Sequence, residues 1–262
     1  YRTMRRLIKA EWTMLLGEIR QYYLNYIFYN AGMVILFLGL FYNYYYEASD
    51  TKVLAMLICA ILWQICTNGI QYLCYLIQDE AMMGTLEQMF LTKTNFFAIL
   101  FSKIFVNLLF VILKGTLLFF VCTLLFHKGS MLMSVGLMKY IEIITIIVIT
   151  LFSFYCIGGV FGGLSLYYKR ISSILNVVDY FLLMFTGIIG DIHSYNPILQ
   201  YIIRIMPITN ANILINEILS DRVKAGDVIL FVVTAFAFIV AGIVVLNLLI
   251  RKAKKEGKLG QY

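Results

Sequence analysis

Residue types that do chemistry are sparse in this chain, and most of them sit inside apolar surroundings. Gln64, Asn68, Gln71 and Tyr75 fall at i, i+4, i+7 and i+11, so in a helix they share one face. A polar stripe within hydrocarbon faces protein or water and not lipid. It therefore reads either as the lining of a substrate pathway or as a seam of interhelical hydrogen bonds. Asn176, in a later apolar run, is a further candidate lining residue. Lys114 interrupts one apolar run and Asp179 another, while Glu142 lies nearer the far end of a third. A lone intramembrane charge requires a partner. Counted at about 1.5 Å per residue, Lys114 and Asp179 reach similar depth, which predicts an ion pair between them. The two histidines, His127 and His193, are far apart in sequence, and no metal-ligand spacing is present. Cys59, Cys66, Cys74, Cys122 and Cys156 all lie in apolar runs without a CxxC pair. They read as small hydrophobes, neither a disulfide framework nor a metal site.

The densest polar motif is Asp79-Glu80-Ala81-Met82-Met83-Gly84-Thr85-Leu86-Glu87-Gln88-Met89-Phe90. It reads as a helix start. Gly84 permits a sharp entry, Thr85 is placed to cap, and Glu87 and Gln88 occupy the first turn, where an acid complements the helix dipole. A short helix there is either a docking element for a soluble partner or a plain reversal of the chain.

The elements that position these residues follow from composition. Of 262 residues, 62% are hydrophobic and 13% charged, and mean hydropathy is +0.87. Soluble domains have about 45–50% apolar and about 25% charged residues. A soluble enzyme is excluded, and so is a soluble protein with one anchor, because the apolar excess runs along the whole chain. An all-α polytopic membrane protein is predicted. Residues 2–22 form an amphipathic helix: Met4, Ile8, Trp12, Leu15 and Ile19 recur at helical spacing among Arg2, Arg5, Arg6, Lys9, Glu11, Glu18 and Arg20, which suits the membrane interface. Six transmembrane spans follow, at about 24–43, 53–77, 98–126, 137–166, 173–190 and 228–250. The first ends in an interfacial aromatic cluster, Tyr42, Tyr44, Tyr45 and Tyr46. No cleavable signal peptide is read at the start of the sequence.

With the N-terminus inside, fourteen of the 21 Lys and Arg residues fall in inside segments. Six fall outside: Lys52, Lys128, Lys139, Arg204, Arg222 and Lys224. This bias places both termini in the cytoplasm and residues 78–97 in an inside loop. On such a chain the net charge of +7 is a topology signal and gives no case for nucleic acid. The outer segment 191–227 holds the only prolines, Pro197 and Pro207, and two apolar runs too short to cross, so two short helices dipping into the outer leaflet are expected. Gly158, Gly159, Gly162 and Gly163 make two overlapping G-x-x-x-G spacings, which permit close helix approach within the chain or across a dimer.

The Gly84-Thr85-Leu86-Glu87-Gln88 motif between the second and third of six spans resembles the coupling helix of type-2 ABC exporter permeases. Lys103 stands where that family has a lysine early in its third span. The family's acid–base pair before the glycine is replaced by Ala81 and Met82, and Lys93 stands near a position where the family often has proline. The N-terminal helix resembles the family's connecting helix, and residues 196–211, with their two spaced prolines, resemble its re-entrant segment. The resemblance covers the whole chain and implies a type-2 ABC exporter fold. It implies that residues 84–88 dock an ATPase partner, that spans 2 and 5 border a central cavity, and that Pro197 and Pro207 belong to an outer gate. The sequence holds no G-x-x-x-x-G-K-[ST] phosphate loop. ATP and Mg would therefore be bound by a separate ATPase subunit, present in two copies beside two permeases in the lipid bilayer of a bacterial plasma membrane. The cargo implied is an amphipathic drug, an antimicrobial peptide or a lipid-like molecule. The competing readings are a membrane scaffold, sensor or immunity protein without transport, and a membrane-embedded enzyme. For an enzyme, Lys114, Glu142 and Asp179 are too scattered to form one centre.

Overall fold

A computed structural model describes residues 2–47, 50–92, 94–125, 135–168, 171–188, 192 and 195–257. His127, His193 and Lys93 lie outside this set, as do the side chains of Tyr44, Tyr45 and Tyr46. Among the described residues every regular element is a helix. They are α1 (Arg2–Gln21), α2 (Tyr23–Glu47), α3 (Asp50–Met82), α4 (Thr85–Leu91), α5 (Phe96–Leu125), α6 (Leu137–Tyr168), α7 (Ser172–Phe185), α8 (Pro197–Arg204), α9 (Pro207–Leu219) and α10 (Ala225–Lys255). Five of them, α2, α3, α5, α6 and α10, are long and apolar enough to cross a membrane, and the bent pair α8–α9 makes up to six. The chain is a multi-pass membrane protein by length and composition.

The bundle is built around α3 and α6, its most extensively packed pair, with α10 on the other side of α6. The glycines of α6 set both contacts. A Cβ on Gly158 would stand 2.9 Å from the Gly69 carbonyl oxygen and the Ile70 Cα. On Gly162 it would meet Ile77 at 2.6 Å and the Leu73 carbonyl at 3.1 Å. Gly159 and Gly163 face Leu246 and Leu249 of α10 in the same way. From α10, Gly242 returns the contact against the Cys156 main chain. The double G-x-x-x-G pattern is thus consumed by packing within the chain, one register per neighbour.

Three expectations change. The predicted span 173–190 is a helix of only 14 residues, Ser172–Phe185, about 21 Å at 1.5 Å per residue. It ends where Thr186 donates its hydroxyl back to the Leu182 carbonyl and Gly187 takes a left-handed φ of 85°. Trp63, at mid-depth in α3, donates to the Asp179 carbonyl, and the Thr186 carbonyl at its far end accepts from Asn212 of α9. Secondly, the apolar stripe of α1 does not face only the membrane interface. Met4, Ile8, Trp12, Leu15 and Ile19 are half-buried, and α1 packs on α5 of its own chain. Thirdly, α8 and α9 meet at 98°, each opened by a proline at its start, where the missing N–H and fixed φ cost nothing. The bent pair is either one broken span or a re-entrant loop, and α9, expected to dip only into one leaflet, sits deep in the bundle, buried from Pro207 to Asn212 and against α3, α6 and α10.

The five cysteines are free thiols, four of them buried. No group of His, Cys, Asp or Glu among the described residues is arranged to hold a metal.

Candidate functional site

The first region lies where α1 and α4 meet the C-terminal ends of α3, α6 and α10 and the N-terminal end of α5. α3 closes at its C-terminus with Met83 N–H on the Asp79 carbonyl and Gly84 N–H on the Ala81 carbonyl. Gly84 then takes φ 70°, a left-handed turn that glycine adopts without strain. This reverses the chain into α4. Thr85 does not cap that helix, contrary to expectation. Its hydroxyl donates backward, to the Glu80 carboxylate and carbonyl, because Gly84 already occupies the cap position.

Leu86 is 2% exposed and fastens α4 into a second hydrophobic cluster. That cluster joins Leu73, Ile77 and Ala81 of α3, Phe96 and Leu100 of α5, Leu166 of α6, and Leu246, Ile250 and Ala253 of α10. On the opposite face Glu87 and Gln88 are exposed, as are Met83 and Leu91. The helix therefore has two faces: Leu86 lies in the cluster that four long helices share, and the opposite face is exposed. Its C-terminal side is held by Phe90, which stacks on Phe96 at 4.1 Å and lies under the Lys254 ammonium at 3.8 Å. Beside it a cavity of about 450 Å³ carries Asn95, Asn247, Arg251 and Lys254.

Lys103 is the electrostatic centre of this end. Its ammonium lies 3.4 Å from Glu11 of α1 and 3.4 Å from Glu80 of α3. Glu80 in turn receives the Thr85 hydroxyl. One chain of polar contacts thus links α1, α5, α3 and α4. All three charged groups are largely withdrawn from solvent, with side-chain exposures of 12–21%, so the pairs are screened less than surface pairs. The sequence motif pointed to Lys103, but not to Glu11 or Glu80 as its partners. The available signal was parity: two acids and one base close to one end of the bundle.

The second region is inside the bundle. Gln64 is buried, while Asn68, Gln71 and Tyr75 are half-buried, so the predicted stripe forms the one partly open face of an otherwise enclosed α3. α2 and α7 flank α3 here. Several polar atoms are left without hydrogen-bond partners among the described residues: both amide atoms of Gln64, Oδ1 of Asn68 and Oε1 of Gln78. Asn176 is exposed on α7.

Lys114 and Asp179 are not paired, and the ion pair predicted from depth is not formed. The Lys114 ammonium instead sits 4.2 Å over the Tyr29 ring of α2, a cation–π contact that α2 supplies by packing on α5. Depth along two helices does not fix which faces meet. Asp179 stands against Trp63 and Thr67 of α3. Both of those donors are spent on main-chain carbonyls, Trp63 on Asp179 itself at 3.3 Å and Thr67 on Gln64 at 3.2 Å. Oδ1 of Asp179 has no hydrogen-bond partner among the described residues.

Away from α4, Asn210 donates to the Arg204 carbonyl at 2.8 Å and to the Thr234 hydroxyl at 3.1 Å, tying the α8–α9 bend to α10. Pro207 is buried at this bend, and Pro197 is exposed at the start of α8. Arg204–Asp227 and Lys139–Asp221 ion pairs hold the same end.

Compared with known proteins, the chain matches no family model and no curated protein.

Proposed function

We propose that this chain is the transmembrane permease of a type-2 ABC exporter, energised by a separate ATPase subunit that docks on α4. The observation that carries the reading is the seat of α4: a short helix with an exposed polar face, whose Leu86 is buried in a hydrophobic cluster shared by four long helices. A segment that only reversed the chain would need no such connection. The fit to the coupling-helix pattern at Gly84, Thr85, Leu86, Glu87 and Gln88 supports the same reading. α1 and the C-terminal end of α10 lie at this end of the bundle, the one through Glu11–Lys103 and the other through Lys254–Phe90. With the positive-charge bias, both termini and α4 belong in the cytoplasm of a bacterial plasma membrane.

The mechanism is alternating access. Closure of two ATPases on ATP presses on Glu87 and Gln88 of α4. Leu86 transmits the push to α3, α5, α6 and α10, and the Thr85–Glu80–Lys103–Glu11 contacts carry α1 with them. The partly open polar face of α3, from Gln64 to Tyr75, together with Asn176 of α7, lines the pathway between two permease copies. α9, packed on α3 and α10, moves with them, so that the Pro197–Pro207 segment opens outward. The cargo is an amphipathic molecule: a drug, an antimicrobial peptide or a lipid-like compound.

The test is purification of tagged permease from its native membrane in mild detergent with nucleotide present, followed by mass spectrometry. A stoichiometric soluble subunit with a phosphate-binding loop supports the reading. Its absence removes the energy source and with it the proposal.

A further inference from the structure

Beside α4, the helices α5 and α10 form the walls of a groove with two unlike halves. The half nearer α4 is the cavity of about 450 Å³, lined by Asn95 and Phe97 on one side and by Asn247, Arg251 and Lys254 on the other. A second cavity, of about 250 Å³, lies along the same two helices, between Phe101 and Ile104 of α5 and Ile243 and Leu246 of α10. Phe97 lines both, so the two are consecutive. From Gly242 in the second to Arg251 in the first, α10 rises about 13.5 Å at 1.5 Å per residue.

The first half is cationic. Arg251 and Lys254 are three residues apart on α10 and so share a helix face. Among the described residues no carboxylate lines this cavity, and neither cation has an ion-pair partner. Lys252, by contrast, is paired with Glu256 at 3.9 Å. Asn95 spends its side-chain oxygen on the Phe97 N–H at 3.0 Å, which leaves its amide nitrogen to donate, and Thr94 adds a hydroxyl. The second half holds no charged residue. Phe97, Phe101 and Ile243 are 44–48% exposed, so the groove lies on the surface of the bundle and is no interior void.

We infer that this groove binds an acidic phospholipid. Arg251 and Lys254 take the phosphate, Thr94 and Asn95 donate to headgroup oxygens, and an acyl chain lies between α5 and α10 from Phe97 to Gly242. The planar guanidinium fork of arginine matches phosphate geometry, and basic pockets between membrane helices recognise anionic headgroups in this way. A zwitterionic headgroup would bring a third cation to two that are already unpaired. A soluble anion would leave the apolar half unfilled. Phe90 of α4 also lines the cationic half, so the lipid touches α4 and α10 together. The site requires only that the chain cross a membrane and does not depend on an ATPase partner.

The test uses the purified full chain, delipidated in uncharged dodecyl maltoside, with bound molecules counted by native mass spectrometry across a titration. The probes are phosphatidylglycerol, phosphatidylcholine with the same acyl chains, and glycerophosphoglycerol, which is the first headgroup without its tails. Wild type is expected to bind phosphatidylglycerol at least about tenfold more tightly than phosphatidylcholine, since each Lys or Arg near an anionic headgroup is worth several-fold in affinity. Glycerophosphoglycerol is expected not to bind over the same range. Arg251→Gln with Lys254→Gln should remove the preference for phosphatidylglycerol. The charge-matched pair Lys252→Gln with Lys255→Gln, on the same helix but outside the cavity, should keep it. Ile243→Trp, which fills the apolar half, should weaken both lipids alike. Equal affinity of wild type for the two lipids would overturn the site without any variant having to fold. Equal loss in the two double variants would reduce the preference to general surface charge and overturn it as well. Binding of glycerophosphoglycerol as tight as that of the lipid would make this a soluble-anion site, against the inference.

Discussion

Gly242→Ala probes the packing on which any transmitted motion depends. At this position on α10 a new Cβ would stand 2.4 Å from both the carbonyl carbon and the oxygen of Cys156 on α6. Ordinary contact begins near 3.4 Å, so α10 must retreat by about 1 Å, because backbone does not rotate away as a side chain does. Overpacking of this kind costs about 1–3 kcal/mol, and a backbone neighbour places Gly242 toward the upper end. Against it stands the better helix propensity of alanine, about 0.8–1 kcal/mol. The net expectation is a loss of about 1–2 kcal/mol. Gly17→Ala, in α1, meets nothing within 4 Å and keeps only the propensity gain. The two variants should therefore move stability in opposite directions. Thermal unfolding of both in one detergent reads this as midpoints on either side of wild type, separated by several degrees at about 2–4 °C per kcal/mol. A Gly242→Ala midpoint equal to or above that of Gly17→Ala would refute the close α6–α10 contact.

Three further predictions follow from named contacts. Lys103→Met removes both ion pairs at once and leaves Glu11 and Glu80 facing each other; a destabilisation of about 1–3 kcal/mol is expected, with transport lost while ATPase activity of the complex persists, as read by paired hydrolysis and efflux assays. Glu87→Lys changes only an exposed side chain, so the melting temperature should stay within about 1 °C of wild type while hydrolysis is uncoupled from transport; full transport by this variant removes the coupling role. Asn210→Leu deletes the hydrogen bonds to Arg204 and Thr234 and should cost about 1–3 kcal/mol, with faster protease cleavage between α8 and α9 in right-side-out vesicles.

The helices were legible wherever apolar length alone decides them: α2, α3, α5, α6 and α10 lie close to the runs that hydropathy marks. α7 was overextended because Gly187 breaks the helix by conformation, which a hydropathy window does not register. Gly84 was legible because only a left-handed turn fits between α3 and α4. Thr85 was misjudged for the converse reason: a hydroxyl one residue inside the helix has a stronger acceptor behind it, in Glu80. Lys114 and Asp179 show the limit of one-dimensional depth. Position along a helix does not give rotation about it, and the rotation that gave Lys114 to Tyr29 depends on how α2 packs on α5. Glu11 and Glu80 were unreadable as partners because their meeting at Lys103 needs three helices in place.

The central claim is that α4 receives the force that drives transport. A photo-crosslinking amino acid at Gln88, whose side chain is exposed, tests it in native membranes. A product joining this chain to a soluble subunit with a phosphate-binding loop, formed at position 88 and not at the exposed outer-end position Ile198, is predicted. Equal labelling from both positions, or no such subunit at position 88 with nucleotide present, would contradict it.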